Sequence, residues 1–563
     1  MPQPPNALAI TTPLRIARRR AEEKRGTGFS SPSDDEVRRP KSAIRAERAF
    51  SERSNQTQHY AAIMPQLDAS FVALPLQALS DAALSKAKDL GCSHAEVRVE
   101  RLRFAYRSFR DHALETSADN QVLGVSVRVV HNGVWGFAAD ITLSTDAAAR
   151  LAERAVATAK VSRPLTPSSV ELADEEVYAD ATWVSAYDVD PFEIDEATKT
   201  GRVLGLNEAL LAGPGVTHAN ASLGYVHENK YFANLAGTNT TQQRARIQAQ
   251  LTAVNVDEHG FATMRTLAPP TGRGWEYLMG TGWDFDAEVA EIPELLAAQV
   301  AAPSVEAGHY DLVIHPSNLF LTIHESIGHA TELDRALGYE AAYAGTSFAT
   351  FDQLGKLRYG SDVMNVTGDR IVDHGLASIG YDDEGVGQQQ FNIISDGILV
   401  GYQLNRQMAA EKGLGRSNGC AFADSPGHIP MQRMPNVSLQ PAANGPSIDE
   451  LISDVDHGIY IVGDKSWSID MQRYNFQFTG QRFFKIENGR LAGQLKDVAY
   501  QAITTDFWRS MEAVGNPDTY VLGGAFNCGK GQPGQIAPVS HGCPAALFRR
   551  VNVLNTQAEG GNQ

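Results

Sequence analysis

Apolar residues return along this chain at two periods, and the points where one period gives way to the other predict its elements. From Ser80 to Leu90 the spacing is helical, and Gly91 stops it. His94–Arg101 (HAEVRVER) and Val122–Val130 alternate apolar with polar and predict strands. Asn132-Gly133 then predicts a tight hairpin turn into VWGFAAD. Thr145–Lys160 has the pattern of an alanine-rich amphipathic helix with Asp146 in its first turn. An acidic stretch from Val170 to Asp195 links this region to strand-like segments between His218 and Thr266. Tyr310–His315 (YDLVIH) predicts another strand, ended by Pro316 and Ser317, with Ser317 as the N-cap of a helix. Leu319, Ile323, Ile327, Ala330, Leu333 and Leu337 then recur at three- and four-residue steps, and Gly338 ends the run, so one helix is expected from Asn318 to Leu337. Strand–turn–strand patterns follow. The fold class expected is α+β: an N-terminal α/β sandwich-like domain, then a β-rich, barrel-like C-terminal domain carrying one long helix.

Length and charge refine this picture. A chain of 563 residues is too long for one core. Residues 1–63 carry 12 Lys and Arg against 7 Asp and Glu, are rich in Arg, Ser and Pro, and predict a disordered basic extension. Met64 is a plausible alternative start. The remainder is acidic, within a formal net charge of −17 for the whole chain, which disfavours binding to nucleic acid through phosphate neutralisation. The expected organisation is 1–63 as extension, 64–305 as an α+β region, 306–547 as the catalytic domain and 548–563 as a flexible tail. The sequence has neither a run of about 20 apolar residues, as a membrane span requires, nor a secretory leader pattern. Four cysteines without paired spacing fit a reducing compartment, so a cytoplasmic location is expected.

Chemistry concentrates in His324-Glu325-Ser326-Ile327-Gly328-His329. Imidazoles ligate zinc, and a neighbouring carboxylate can act as general base. The spacing H-E-x-x-x-H is one residue longer than the common H-E-x-x-H. Positions five apart on a regular helix lie about 140° from each other, against about 40° for positions four apart. Shared ligation by His324 and His329 therefore requires a π-bulge or a break, with Gly328 as its expected cause. The competing reading is an ordinary surface pair of Glu325 with His329 at four apart.

A hydrolytic zinc site needs a third protein ligand. Cys528, in the glycine-dense loop GGAFNCGKGQP beside Lys530, and Cys543, in SHGCP, are close rivals. Cys92 and Cys420 read as small buried residues. Asp382-Asp383-Glu384-Gly385 reads as a solvated turn before a cation site. The GLGRSNG segment reads as an ordinary loop, since it lacks the setting of a nucleotide fingerprint. His428 and Arg433 are candidate substrate-binding residues, His428 near the metal and Arg433 as a clamp on a peptide carbonyl. A loop histidine without a role and an arginine paired with a carboxylate are the bland alternatives.

In combination these segments resemble the TldD/PmbA family. The resemblance rests on HESIGHATELD, the DDEG turn, Pro430–Met434 (PMQRM), Ile486–Arg490 (IENGR) and NCGKGQP in that order, preceded by HAEVRVER and GVSVRVVHNGVWGFAAD. It runs from about Met64 to Ala545. It implies a zinc metallopeptidase with one Zn2+ held by His324, His329 and Cys528, and Glu325 as the general base. The second cysteine, Cys543, is not part of the resemblance. The intact H-E-x-x-x-H places the chain beside TldD-type catalytic subunits instead of the PmbA/TldE-type subunits that lack it. The resemblance also implies unstructured peptides as substrates, and a PmbA/TldE-type homologous partner or a homodimer. A non-catalytic peptide-binding subunit and a zinc hydrolase acting on other amides are the alternatives.

Overall fold

The computed structural model describes residues 66–258, 260–531 and 533–560; the extension expected over residues 1–63 lies outside them. β1 (His94–Arg110), β2 (Ala113–His131), β3 (Val134–Asp140), β4 (Ala181–Val184), β5 (His218–Asn234), β6 (Asn239–Asp257) and β7 (Gly260–Arg265) form one sheet. Its order is β3-β2-β1-β5-β6-β4, with β7 also beside β6, and every pairing except β4–β6 is antiparallel. β1 and β2 extend well beyond the segments whose alternation marks them. Asn132 (φ 49°) and Gly133 (φ 72°) both adopt the left-handed conformation that a two-residue hairpin with the strands' own twist requires.

Alternation gives this sheet two unlike faces. Val97, Val99, Val127 and Val129 meet Leu79 and Ala83 of the helix Leu76–Asp89, and Leu151 and Ala155 of the helix Thr145–Ser162. At the other end Ala105, Phe109, Leu223 and Ile247 meet Leu206, Leu210, Ile292 and Leu296 of the helices Glu196–Leu211 and Phe285–Ala301. Gly136 of β3 lets the helix backbone approach, since a Cβ there would lie 1.9 Å from the Ala155 carbonyl oxygen. The opposite face carries buried charge: Glu96, Arg98, Glu100, Arg128, Glu228, Lys230, Arg244 and Arg246.

That charged face packs against the C-terminal half. Lys230 Nζ lies 2.9 Å from Asp383, and Arg128 Nη2 lies 3.0 Å from Glu384. Asp382 accepts hydrogen bonds from the backbone amides of Glu384, Val386 and Ala421, while burial pushes its carboxyl up to about 8. The turn expected to be solvated is therefore a buried strut. Its carboxylates find cations on a sheet face that was distant in sequence.

The C-terminal half contains β8 (Gly308–Ile314), β9 (Val366–Asp369), β10 (Gln390–Ser395), β11 (Ile398–Leu399), β12 (Ala421–Phe422), β13 (Met431–Gln432) and β14 (Asn436–Leu439). β15 (His457–Ile469), β16 (Asn475–Glu487), β17 (Arg490–Leu495), β18 (Val498–Ile503), β19 (Met511–Val514), β20 (Val521–Lys530), β21 (Gln535–Cys543) and β22 (Ala546–Asn555) follow. β15-β8-β22-β18-β16 closes into a five-stranded barrel through the β15–β16 pairing. Phe476, Phe478, Tyr500, Phe507 and Phe548 fill its core. The flexible tail expected from residue 548 is corrected here. Phe548, Val551 and Val553 are buried on β22, which the barrel needs to close.

The long helix after β8 is segmented. A helix spans Pro316–Ile323, a π turn His324–Gly328 and a 3-10 turn His329–Thr331; Glu332 is extended and a short helix Leu333–Ala336 follows. His315, not Ser317, caps the first helix, its Nδ1 accepting from the Ser317 amide at 3.1 Å with Pro316 at the first helical position.

Candidate metal centre

The π turn provides what the five-residue spacing demands. It inserts one residue, turning His329 back to the face that His324 occupies, and the two ring centroids stand 4.7 Å apart. Outside partners take the carbonyls that the wide turn leaves without regular helical bonds. The Tyr359 hydroxyl donates to Ser326 O, and Gln403 Nε2 donates to Gly328 O at 2.6 Å. Trp508 Nε1 donates to Ser326 Oγ at 2.9 Å, which itself donates to Thr322 O at 2.6 Å. Gly328 serves differently from expectation. Its backbone (φ −51°, ψ −62°) is ordinary right-handed helix, so no special torsion is needed. A Cβ there would lie 2.7 Å from Met434 Sδ, so Gly328 supplies space.

Cys528 reaches this turn on β20. A register shift between Ala525 and Cys528 in the β20–β21 pairing marks the place. One ligand atom each from His324, His329 and Cys528 lie within 4.8 Å of one another, and all three residues are buried. Cys528 Sγ is 3.7 Å from His329 Nε2. Bonds of about 2.0 Å to nitrogen and 2.3 Å to sulfur around a tetrahedral zinc ion separate N from S by about 3.5 Å, so this pair already stands at bridging distance. The donor set, two imidazoles and a thiol, suits zinc. Cys543, the rival, lies outside the cluster, its thiol directed to the Pro316 carbonyl and pushed up by burial.

The Nδ1 atoms of both histidines are engaged elsewhere, leaving Nε2 for the cluster. His329 Nδ1 is 2.8 Å from Glu332 Oε2, and His324 Nδ1 is 2.6 Å from His541 Nε2. Lys530 Nζ sits between Glu332 (3.0 Å), Asp334 (2.8 Å) and Glu340 (3.4 Å), and Arg335 lies 3.7 Å from Glu332. These cations hold Glu332 ionised, well below the usual carboxylate range despite its burial. Lys530 thus acts on the carboxylate behind His329. Burial alone would push the Cys528 thiol up, but His329 and the Arg433 guanidinium outweigh it and the thiol is lowered. Burial also lowers His324, keeping the imidazole neutral as a ligand must be.

Glu325 follows the first histidine and is nearly buried. Arg473 Nη1 lies 2.5 Å from its Oε2. Burial raises this carboxyl, but the two histidines, Arg473 and the Trp467 indole together lower it. Arg473 stands in a turn at φ 64°, which Asp470 secures by accepting from the Gln472 and Tyr474 amides.

The remaining candidates stand apart. Arg433 is buried, and its terminal nitrogens donate to the carbonyls of Cys528 and Gln535 (3.2 Å for the latter). It braces the β20–β21 hairpin instead of offering donors to a peptide. His428 Nδ1 lies 2.6 Å from Asp424 Oδ1, and its carbonyl accepts from Arg98 Nη2 at 2.8 Å. It is not among the converging ligands. Reading the sequence missed Glu332, Arg473 and His541. Glu332 was accessible in principle, three residues beyond His329; His541 and Arg473 have no sequence signal, being 217 and 148 residues from their partners.

Residues 307–555 match the PmbA/TldA metallopeptidase C-terminal domain, and residues 95–159 match PmbA/TldA metallopeptidase domain 1. A metalloprotease of Methanothermobacter thermautotrophicus is 28% identical over 463 residues, covering 82% of this chain and 96% of its own. A zinc metalloprotease TldD homolog of Saccharolobus solfataricus is 22% identical, covering 84% of this chain and 98% of its own. The solved structure of TldE from Thermococcus kodakarensis superposes with a TM-score of 0.65 at 14% identity, covering 84% of this chain and 99% of that one, a likeness of fold. The two matched domains, the relatives aligned along most of both lengths and the likeness of fold agree, and the chain belongs to the PmbA/TldD metallopeptidase family.

Proposed function

We propose that this chain is a catalytic, zinc-dependent metallopeptidase that hydrolyses peptide bonds in unstructured peptides, with Glu325 as general base and His324, His329 and Cys528 as ligands. One observation carries the reading. Three buried donors, carried by a π turn and by a strand at an irregularity of its pairing, lie within 4.8 Å of one another beside an ionised carboxylate. A non-catalytic subunit would need none of these. When bound, zinc supplies a Lewis acid that polarises a carbonyl and acidifies water. The protein's own groups do the rest. Glu325 is ionised and can accept a proton and later return it to the leaving amine. Arg473 and Trp467 fix its orientation. Burial of the ligands excludes bulk water and strengthens each electrostatic contact.

The relatives' names support peptide hydrolysis, and the burial of the three donors favours an extended chain over a folded one as substrate. Pairing with a PmbA/TldE-type homologue, or with a second copy, belongs to the same proposal. Among the described residues, the N-terminal half of β2, largely exposed along Ala113–Gln121, pairs only with β1 and leaves a strand edge open to a partner. Four free cysteines are consistent with a cytoplasmic setting, and among the described residues no helix is long and apolar enough to cross a membrane.

The test is zinc content and digestion of unfolded peptides and folded proteins, before and after chelation, for the wild-type protein and Glu325→Gln. The variant should keep its metal and lose about two to four orders of magnitude in peptide hydrolysis. Full activity of Glu325→Gln, or equal digestion of folded proteins, would remove the respective part of the proposal.

A further inference from the structure

His541 is fully buried on β21, and both of its ring nitrogens have partners. Its Nδ1 is 2.9 Å from the Val437 carbonyl oxygen on β14, and its Nε2 is 2.6 Å from His324 Nδ1. The two rings are T-shaped, with centroids 4.7 Å apart. A carbonyl oxygen can only accept, so the proton of a neutral His541 must sit on Nδ1. Its Nε2 is then a bare acceptor, and His324 Nδ1 must be the donor. A neutral His324 carrying its proton on Nδ1 has its lone pair on Nε2, the nitrogen left for the cluster with His329 and Cys528.

We infer that His541 is a positioning residue for the metal centre: it relays the tautomer set by the Val437 carbonyl to His324 and holds that ring with its Nε2 lone pair presented to the metal. The inference rests on the zinc reading above. The surroundings fix His541 as firmly as His541 fixes His324. The Gly542 amide donates to Ser438 Oγ at 2.9 Å, and the Ser540 amide to Asn436 Oδ1 at 3.1 Å, which locks β21 against β14 on both sides of the histidine. The two ligand histidines thus have different supports, a carboxylate behind His329 and a neutral imidazole behind His324. The imidazole orients without adding negative charge to the site.

The test compares His541→Phe, which keeps a ring but offers no acceptor, with His541→Gln, whose side-chain oxygen can accept from His324 Nδ1. Zinc affinity is read by chelator competition and coordination by the Co2+ absorption spectrum, with thermal melting of the metal-free proteins as the control for folding. His541→Phe should bind zinc about 10- to 100-fold more weakly. His541→Gln should recover to within a few-fold of wild type with an unchanged Co2+ spectrum. Wild-type affinity in His541→Phe overturns the inference, as does a His541→Gln variant as weak as His541→Phe. A Co2+ spectrum that loses a nitrogen ligand in His541→Gln overturns it too, because His541 would then be a ligand itself. If His541→Phe does not fold, the tautomer is read in the zinc-loaded wild-type protein by 15N-histidine NMR, and a proton on His541 Nε2 overturns the inference. A wild-type protein that takes up no zinc overturns the metal reading itself, and this inference with it.

Discussion

Glu332 and Lys530 can be separated by substitution, because the structure assigns them different charge ledgers. Glu332, Asp334 and Glu340 face Lys530 and Arg335 in a buried group, three acids to two bases. At pH 7.5 Asp334 is charged, being raised by burial only to about 6, and Glu332 is held well below the usual carboxylate range. Glu332→Gln leaves two acids to two bases, so the buried cluster stays balanced and the fold should hold. The new amide oxygen can still accept from His329 Nδ1, but the full charge behind that ligand is gone. Zinc affinity should fall about 10- to 100-fold, or roughly 1.4–2.7 kcal/mol. Lys530→Met does the reverse, leaving three buried acids with Arg335 alone. Breaking a buried pair by removing one partner costs about 3–5 kcal/mol, so this variant should melt early even without metal. The assay is chelator competition for zinc beside thermal melting with and without chelator. Unchanged zinc affinity in Glu332→Gln, or wild-type melting of metal-free Lys530→Met, would refute the reasoning.

Three further outcomes follow from the geometry. Cys528→Ser should lose zinc or bind it far more weakly, while Cys543→Ser should retain it, as metal analysis of the two purified variants will tell. Gly328→Ala must displace Met434, whose sulfur would lie 2.7 Å from the new Cβ, and overpacking of this kind costs about 1–3 kcal/mol; the melting temperature should drop, and the added replacement Met434→Ala should restore part of it. Burial lowers His315 to about 4 from an ordinary 6.5, so the unfolded chain binds its proton first as pH falls, and stability is lost from about pH 6.5 downward towards 4. At pH 5 this one group accounts for about 2 kcal/mol; His315→Asn, which keeps a capping side chain, should show a shallower loss between pH 7 and 5 in denaturant titrations.

Legibility in the sequence followed contact range. The hairpin at Asn132-Gly133 and the helices at 76–89 and 145–162 are specified by near neighbours, and the chain announced them within a residue or a turn. β22 reads as a flexible tail in the sequence because a strand's reason to exist is its partners, and β22 is held between β18 and β8, the latter more than 200 residues away. The DDEG turn looks solvated in the sequence because three acids and a glycine normally are; Lys230 and Arg128, which bury it, belong to the other sheet.

The H-E-x-x-x-H spacing by itself determined that the helix must break if both histidines bind one metal, since helical geometry is local and allows no other solution. Sequence also offered Glu325 as the candidate base, and the donor types. Residue chemistry left Cys528 and Cys543 as rivals and the family resemblance favoured Cys528; the tertiary structure brings Cys528 to the histidines, because the two cysteines differ in where the β20–β21 hairpin delivers each thiol, not in local composition. It likewise decided that Gly328 makes room for Met434, and that Arg433 braces a hairpin. It placed Lys530 behind His329, and His541 behind His324. Each of these depends on a group brought near by folding, and local periodicity holds no record of distances between residues separated by two hundred positions.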